Sequence, residues 1–205
     1  MTETSQDIIH YTYEDIHNTV SSTAKRCQEF NPDVIIAIGG GGFIPARMLR
    51  SHLQEGGKSI PILAVSVELY ANKQICEPVI TQWFDEKEGN GLLVKGGRVL
   101  IVDEVDDTRT TLSFVINKLI SSNKSPSCIA TMVVHNKNKP KNGLLDDSVI
   151  YIEGQNVPDK WIVYPWDNAS VVPKAPPNRV KVLDKGFLEL VETFGDELTI
   201  VNAAR

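Results

Sequence analysis

The sequence predicts an α/β fold built on a parallel sheet, and three observations predict it. First, four apolar, β-branched runs recur along the chain: Val34–Ile38, Ile60–Val67, Arg98–Val102 and Ile129–Val134. Runs that are apolar without alternation mark strands buried on both faces, as in a sheet sandwiched between helices. Second, helix-like spacing separates several of these runs, so strand and helix alternate. Third, 205 residues with 41 % apolar and 23 % charged side chains match one globular domain rather than a disordered or fibrous chain.

The elements follow in order. Between Tyr13 and Phe30, Ile16, Val20, Ala24, Cys27 and Phe30 recur at steps of three and four, an amphipathic helix that Asn31-Pro32-Asp33 stops. Val34–Ile38 is the first buried strand. Four glycines, Gly39, Gly40, Gly41 and Gly42, lead into a helix from about Ile44 to Gln54 with Pro45 in its first turn, closed by Gly56-Gly57. Ile60–Val67 is the second strand. Glu68–Gly97 reads as a long polar insertion with only a short strand-like stretch, Val79–Trp83. Insertions of that length in a compact domain are usually functional or mobile. Arg98–Val102 is the third strand, Thr111–Ile120 the helix behind it, and Ile129–Val134 the fourth strand. His135–Asp147 reads as a lysine- and asparagine-rich loop. Pro173–Pro177 reads as a linker, and Phe187, Leu190, Val191 and Phe194 share one face of a short C-terminal helix.

Composition narrows the function. The net charge of −5 argues against a non-specific nucleic-acid partner. The longest apolar run, Val34–Ile38, is far too short to span a bilayer. Neither a basic n-region nor an apolar h-region opens the chain, so no signal peptide is expected. Cys27, Cys76 and Cys128 form neither a zinc signature nor a disulfide framework, which suits a reduced, cytoplasmic compartment.

The chemistry concentrates in Val99–Thr111, VLIVDEVDDTRTT. A buried strand ends in Asp103 and Glu104, and a turn of Asp106, Asp107, Thr108, Arg109, Thr110 and Thr111 opens a helix. At the carboxyl edge of a parallel sheet such side chains converge on a crevice. A hydroxyl-rich turn into a helix N-terminus holds a phosphate through free amides and the positive dipole end. Two acids directly before it suit sugar hydroxyls or a divalent cation. The ligand implied is a sugar phosphate. Ile36–Arg47, IAIGGGGFIPAR, is a second strand-to-helix turn, whose glycines let the backbone approach an anion closely.

Val99–Thr111 resembles the signature for 5-phosphoribosyl-1-pyrophosphate (PRPP) of type I phosphoribosyltransferases. Val157–Asp167, VPDKWIVYPWD, resembles the hood segment of their 6-oxopurine branch, most of all the fungal hypoxanthine-guanine and xanthine enzymes. The resemblance covers about residues 10 to 167. It implies the type I fold, with a core at about 10–135, a hood at about 136–170 joined by N-terminal residues, and an appendage at about 171–205, all one domain.

The resemblance also implies roles. Asp103 and Glu104 hold the ribose hydroxyls and, with Asp167, Mg2+. The loop Asp106–Thr111 holds the 5-phosphate, and Asp107 is the base that takes a proton from purine N7. Gly39–Gly42 form the pyrophosphate loop, with a cis or strained Gly39-Gly40 peptide. Trp161 stacks on the purine, Ile162 contacts it through backbone, and either His135 or Lys137 binds its 6-oxygen. Tyr70 belongs to a mobile lid. The expected ligands are PRPP with a purine base or nucleoside monophosphate, and the expected assembly is a homodimer or larger homo-oligomer. Arg109 departs from the family, standing where many members have glycine; a left-handed backbone there costs about 1–2 kcal/mol. The activity implied is purine salvage by phosphoribosyl transfer to hypoxanthine, guanine or xanthine. The alternatives are a xanthine-preferring enzyme and a non-catalytic PRPP-binding regulator.

Overall fold

A computed structural model describes residues 8–167, apart from 55–56, 58, 72–73 and 123–124. The expected linker and C-terminal helix lie outside the described residues. The elements run β1 (Ile8–His10), α1 (Tyr13–Phe30), β2 (Val34–Gly39), α2 (Phe43–Leu53), β3 (Ile62–Ala71), β4 (Gln74–Gln82), a 3-10 turn (Gly89–Leu93), β5 (Arg98–Asp106), α3 (Thr110–Ser121), β6 (Cys128–Lys137), β7 (Ile150–Val157) and β8 (Trp161–Val163).

Six strands form the main sheet in the order β4-β3-β2-β5-β6-β7. All neighbours are parallel except β3 and β4. From β2 the chain crosses to β3 on one side; β5 then returns to the other side of β2. The carboxyl ends of β2 and β5 therefore flank the switch point, where open α/β sheets place their ligand crevice.

Alternation inside the apolar runs assigns their two faces. Ile35 and Ala37 of β2 and Leu100 and Val102 of β5 pack under α1 and α2. Val34, Ile36 and Ile38, with Val99 and Ile101, pack against Leu112, Val115, Ile116 and Leu119 of α3. Helix α1 starts in a capping box. The Thr12 amide donates to the Asp15 carboxylate at 2.8 Å, and the Asp15 amide donates to the Thr12 hydroxyl at 3.1 Å. It ends at Asn31, whose φ of 50° is the left-handed C-terminal conformation that asparagine tolerates.

Two expectations are corrected, and one further strand appears that the sequence did not announce. The first half of the polar insertion after the second strand, up to Gln82, belongs to an antiparallel strand pair, β3–β4, in which Tyr70 pairs with Ile75. It includes Glu68, Leu69 and Tyr70, which the sequence placed in a loop; the side chain of Tyr70 is outside the described residues. The fourth strand does not stop at Val134 but continues through His135 to Lys137. Finally, β7 closes the sheet beside β6. Its sequence, IYIEGQNV, carries a glycine and three polar residues, because as an edge strand it buries little. Separately, β1 and β8 pair in parallel as a two-stranded hood, with Ile9 opposite Ile162.

Candidate active site

At the switch point the structure forms a cleft of about 270 Å³ between Gly39 and the Asp103–Leu112 segment, with Val67 and Leu69 of β3 on its wall. The glycine side needs its glycines at two positions. A Cβ on Gly42 would lie 2.5 Å from the carbonyl oxygens of both Ile38 and Val102, and backbone cannot yield cheaply. A Cβ on Gly41 would run into the Glu104 carboxylate. The Gly39-Gly40 peptide is cis.

Across the cleft, β5 ends in acids. The Asp103 carboxyl is 7 % exposed and held well above the usual carboxylate range, by burial first and then by the facing charges of Glu104 and Asp106. Helix α3 then starts at Thr110 with no side chain capping its first amides. Those donors, with the Thr108 and Thr110 hydroxyls 2.9 Å apart, line the cleft as an anion cradle.

Arg109 does adopt the left-handed backbone, with φ of 65°. Its guanidinium explains how. Nε and Nη2 donate to one Asp106 oxygen at 2.9 and 2.8 Å, and the same oxygen accepts from the Tyr151 hydroxyl at 2.7 Å. The guanidinium also lies 4.9 Å from the Tyr151 ring centroid. These charge-assisted bonds offset the backbone cost. The Asp106 carboxylate is accordingly buried beneath the loop, with Arg109 and Tyr151 on one oxygen and the Lys141 ammonium 3.6 Å from the other. Lys141 completes the support: its ammonium donates to the carbonyls of Asp106, Asp107 and Lys137 at 2.6, 3.0 and 2.9 Å, binding the end of β5 to the end of β6.

Asp107 turns the other way and is 44 % exposed. The Lys139 ammonium is 2.8 Å from its Oδ1, and the Lys137 ammonium 3.5 Å from its Oδ2. Burial alone would raise this carboxyl, but Lys139 and Lys137 outweigh it and hold it below the usual range. Both ammoniums also face Asp159, in the turn before β8.

The two residues proposed for the purine 6-oxygen part company here. Lys137 stands beside Asp107 in the cleft region. His135 does not: it is fully buried, stacked 4.1 Å from the ring centroid of Tyr11. The Tyr164 hydroxyl donates to the Glu104 carbonyl at 3.1 Å, so His135 Nδ1, 2.9 Å away, must be the donor to the Tyr164 oxygen. This places His135 as the pin between hood and core, with its ring enclosed by Tyr11 and Tyr164. Burial pushes its pKa down to about 4, with Gln155 and Asp15 only partly opposing.

Between that value and the 6.5 of an unfolded histidine, the unfolded state binds the extra proton, so stability rises with pH and is lost on acidification. Acidifying from pH 7 to pH 5 should cost the native fold about 2 kcal/mol through His135. Urea unfolding of the protein and of His135→Gln at both pH values checks this. The stability gap between them should shrink at pH 5, and a gap that stays constant would refute it.

The hood carries Trp161, 63 % exposed, and Ile162, which packs partly on the core. Trp161 is thus an open aromatic face rather than a core residue. Behind it, Tyr164 and Trp166 stack 4.9 Å apart. Asp167 is exposed, and among the described residues no three His, Cys, Asp or Glu gather into a ready-made metal cage. Sequence reasoning missed Lys139, Lys141, Tyr151, Asp159 and Tyr164. For Lys139 and Lys141 the loop expected from composition is what forms, since β6 ends at Lys137, and nothing local says which acids their ammoniums reach.

A mostly parallel sheet with a glycine turn and an uncapped helix start facing each other across its switch point defines an α/β protein with a crevice at its carboxyl edge. The comparisons specify it. The model of the phosphoribosyl transferase domain matches residues 12–170. A hypoxanthine-guanine phosphoribosyltransferase of Schizosaccharomyces pombe is 42 % identical over 182 residues, 78 % of this chain and 88 % of the relative. Xanthine phosphoribosyltransferase 1 of Saccharomyces cerevisiae is 41 % identical over 188 residues, 78 % and 89 % of the two chains. The crystal structure of a purine phosphoribosyltransferase from Pyrococcus horikoshii superposes with a TM-score of 0.62 at 30 % identity, covering 82 % of this chain and 99 % of that one. The chain belongs to the phosphoribosyltransferase family.

Proposed function

We propose that this protein is a cytoplasmic purine-salvage enzyme that transfers the 5-phosphoribosyl group of PRPP to N9 of a 6-oxopurine, giving a nucleoside monophosphate and pyrophosphate. The observation that carries the reading is the meeting of Asp107 and Lys137, 3.5 Å apart at the ends of neighbouring strands. In a 6-oxopurine, N7 and O6 sit side by side on one edge. A carboxylate for the N7 proton and an ammonium for O6 must therefore also sit side by side.

The remaining roles follow from position. The amides and hydroxyls opening α3 bind the 5-phosphate. The glycine turn approaches the pyrophosphate through its backbone. Asp103 and Glu104 take the ribose hydroxyls and set negative charge near C1′ as it becomes cation-like. The bond from C1′ to pyrophosphate breaks, the C1′–N9 bond forms, and the N7 proton passes to Asp107. Trp161 offers its open face for stacking on the base, worth about 1–3 kcal/mol.

The donor set suits Mg2+. Two carboxyls crowd each other at the cleft, and their repulsion, which adds to burial in holding Asp103 high, is what a divalent cation would relieve. Magnesium needs only one or two protein carboxylates when substrate oxygens supply the rest. Asp103 and Glu104 would hold it, and it would supply charge neutralisation on the leaving pyrophosphate.

The test is nucleotide formation from PRPP and Mg2+ with hypoxanthine, guanine, xanthine and adenine in turn; xanthine is included because relatives named for each activity are similarly close. Product is expected with 6-oxopurines and not with adenine, whose 6-amino group meets the Lys137 donor with another donor. PRPP binding with no product from any base would support the non-catalytic regulator instead.

A further inference from the structure

Resting on that reading, we propose that Lys139 is a positioning residue of the transfer reaction, tying Asp107 at the end of β5 to Asp159 in the turn before β8 and so aiming the Asp107 carboxylate at the bound base.

The two lysines beside Asp107 make different contacts. The Lys139 ammonium donates to Asp159 Oδ1 at 2.9 Å and stands in close ion-pair contact, 2.8 Å, with Asp107 Oδ1. The Lys137 ammonium stands 3.5 and 3.9 Å from the same two acids, outside hydrogen-bond distance. Lys139 is thus committed to the protein, whereas Lys137 is the one left to turn towards a ligand. An ammonium has three donors and can serve both acids at once.

The clamp has work to do because Asp107 is otherwise loosely held. Its side chain is 44 % exposed, as is 47 % of Asp159. A single exposed ion pair would hold it weakly. Here one ammonium joins segments from three places in the chain: the loop after β5, the extension of β6 and the turn between β7 and β8. The hood strand β8 begins two residues beyond Asp159, so the same bridge links the proton acceptor to the strand that carries Trp161.

The charges around Asp107 leave Lys139 a clear share of the field. Lys137 faces it from the end of β6 and Lys139 from just beyond, and Lys141 donates to its carbonyl rather than its carboxylate. Asp106 sends its carboxylate into Arg109 and Tyr151. Asp103 and Glu104 lie further back on β5, and Asp159 shares the Lys139 ammonium. Pairing with Asp107 and Asp159 holds the Lys139 ammonium above its ordinary range, while the two lysines keep the Asp107 carboxyl low.

The experiment uses the full chain with saturating PRPP and hypoxanthine as the varied base, measured from pH 3 to pH 8 so that the acid limb falls inside the range. Lys139→Met should lower kcat/KM for hypoxanthine about ten-fold or more and move its acid limb up by about one pH unit, the effect of removing one close opposite charge. The KM for PRPP should stay within a few-fold, and Lys139→Arg should restore both limb and rate. An unshifted acid limb in folded Lys139→Met overturns the proposal. Should that variant fail to fold, Asp159→Asn keeps the shape and removes the anchor: kcat should fall several-fold, and an unchanged kcat overturns the proposal. Asp107→Asn, run alongside, separates the two ideas. If it keeps full turnover, Asp107 is not the proton acceptor and the function reading fails there. If it loses turnover while Lys139→Met behaves as the parent, only the role of Lys139 fails.

Discussion

Asp107→Asn should lower turnover by roughly 10²–10⁴ while PRPP affinity changes no more than a few-fold. Asparagine keeps the shape of the side chain and leaves its amide within reach of the Lys139 ammonium, 2.8 Å from Oδ1 in the parent. What it loses is the basic oxygen. The 5-phosphate cradle is expected to survive, because it is formed by the amides and hydroxyls that open α3 and is braced by the Asp106–Arg109–Tyr151 network, in which the Asp107 carboxylate takes no part. Steady-state kinetics with each substrate varied, together with a direct PRPP titration, separate the outcomes. Unchanged turnover with weakened PRPP binding would make Asp107 part of the phosphate loop instead of the proton acceptor. Asp103→Ala and Glu104→Ala should differ from it by weakening PRPP binding as well as rate.

Lys137→Met should weaken hypoxanthine and guanine binding by about 1.5–3 kcal/mol, the usual loss for a charged donor. Lys137 sits at the end of β6 with 10 % of its side chain exposed, and its hydrocarbon stem is already packed. Methionine keeps that packing and removes only the ammonium. The change should therefore appear in the base KM and in equilibrium binding of the base, with the fold intact by circular dichroism. An effect on PRPP alone, with base affinity unaltered, would take Lys137 out of purine recognition. His135 should behave in the opposite sense: its substitution should show in stability and its pH dependence, because it is enclosed between Tyr11 and Tyr164.

The sequence determined the sheet core, since its strands are written as unbroken apolar runs that only a two-sided burial accommodates. It also placed Asp103–Thr111 and Gly39–Gly42 at strand ends, because the change from apolar strand to glycine or acid is local and abrupt. Amphipathic α1 was legible to the residue, as the period and the Asn31-Pro32 stop are both local signals. Tertiary structure decided the rest. Strand β7 has the composition of a loop and pairs only because β6 offers it an edge. The hairpin β3–β4 hides in polar sequence for the same reason, as an outer strand is half solvated. Nothing local says that Asp106 turns inward while its neighbour Asp107 turns out; that split needs Tyr151 from β7 and Lys139 from beyond β6. The choice between His135 and Lys137 was likewise open in one dimension. Residues two apart on a strand point the same way, and it is the hood, brought back over the end of β6, that covers His135 and leaves Lys137 beside Asp107.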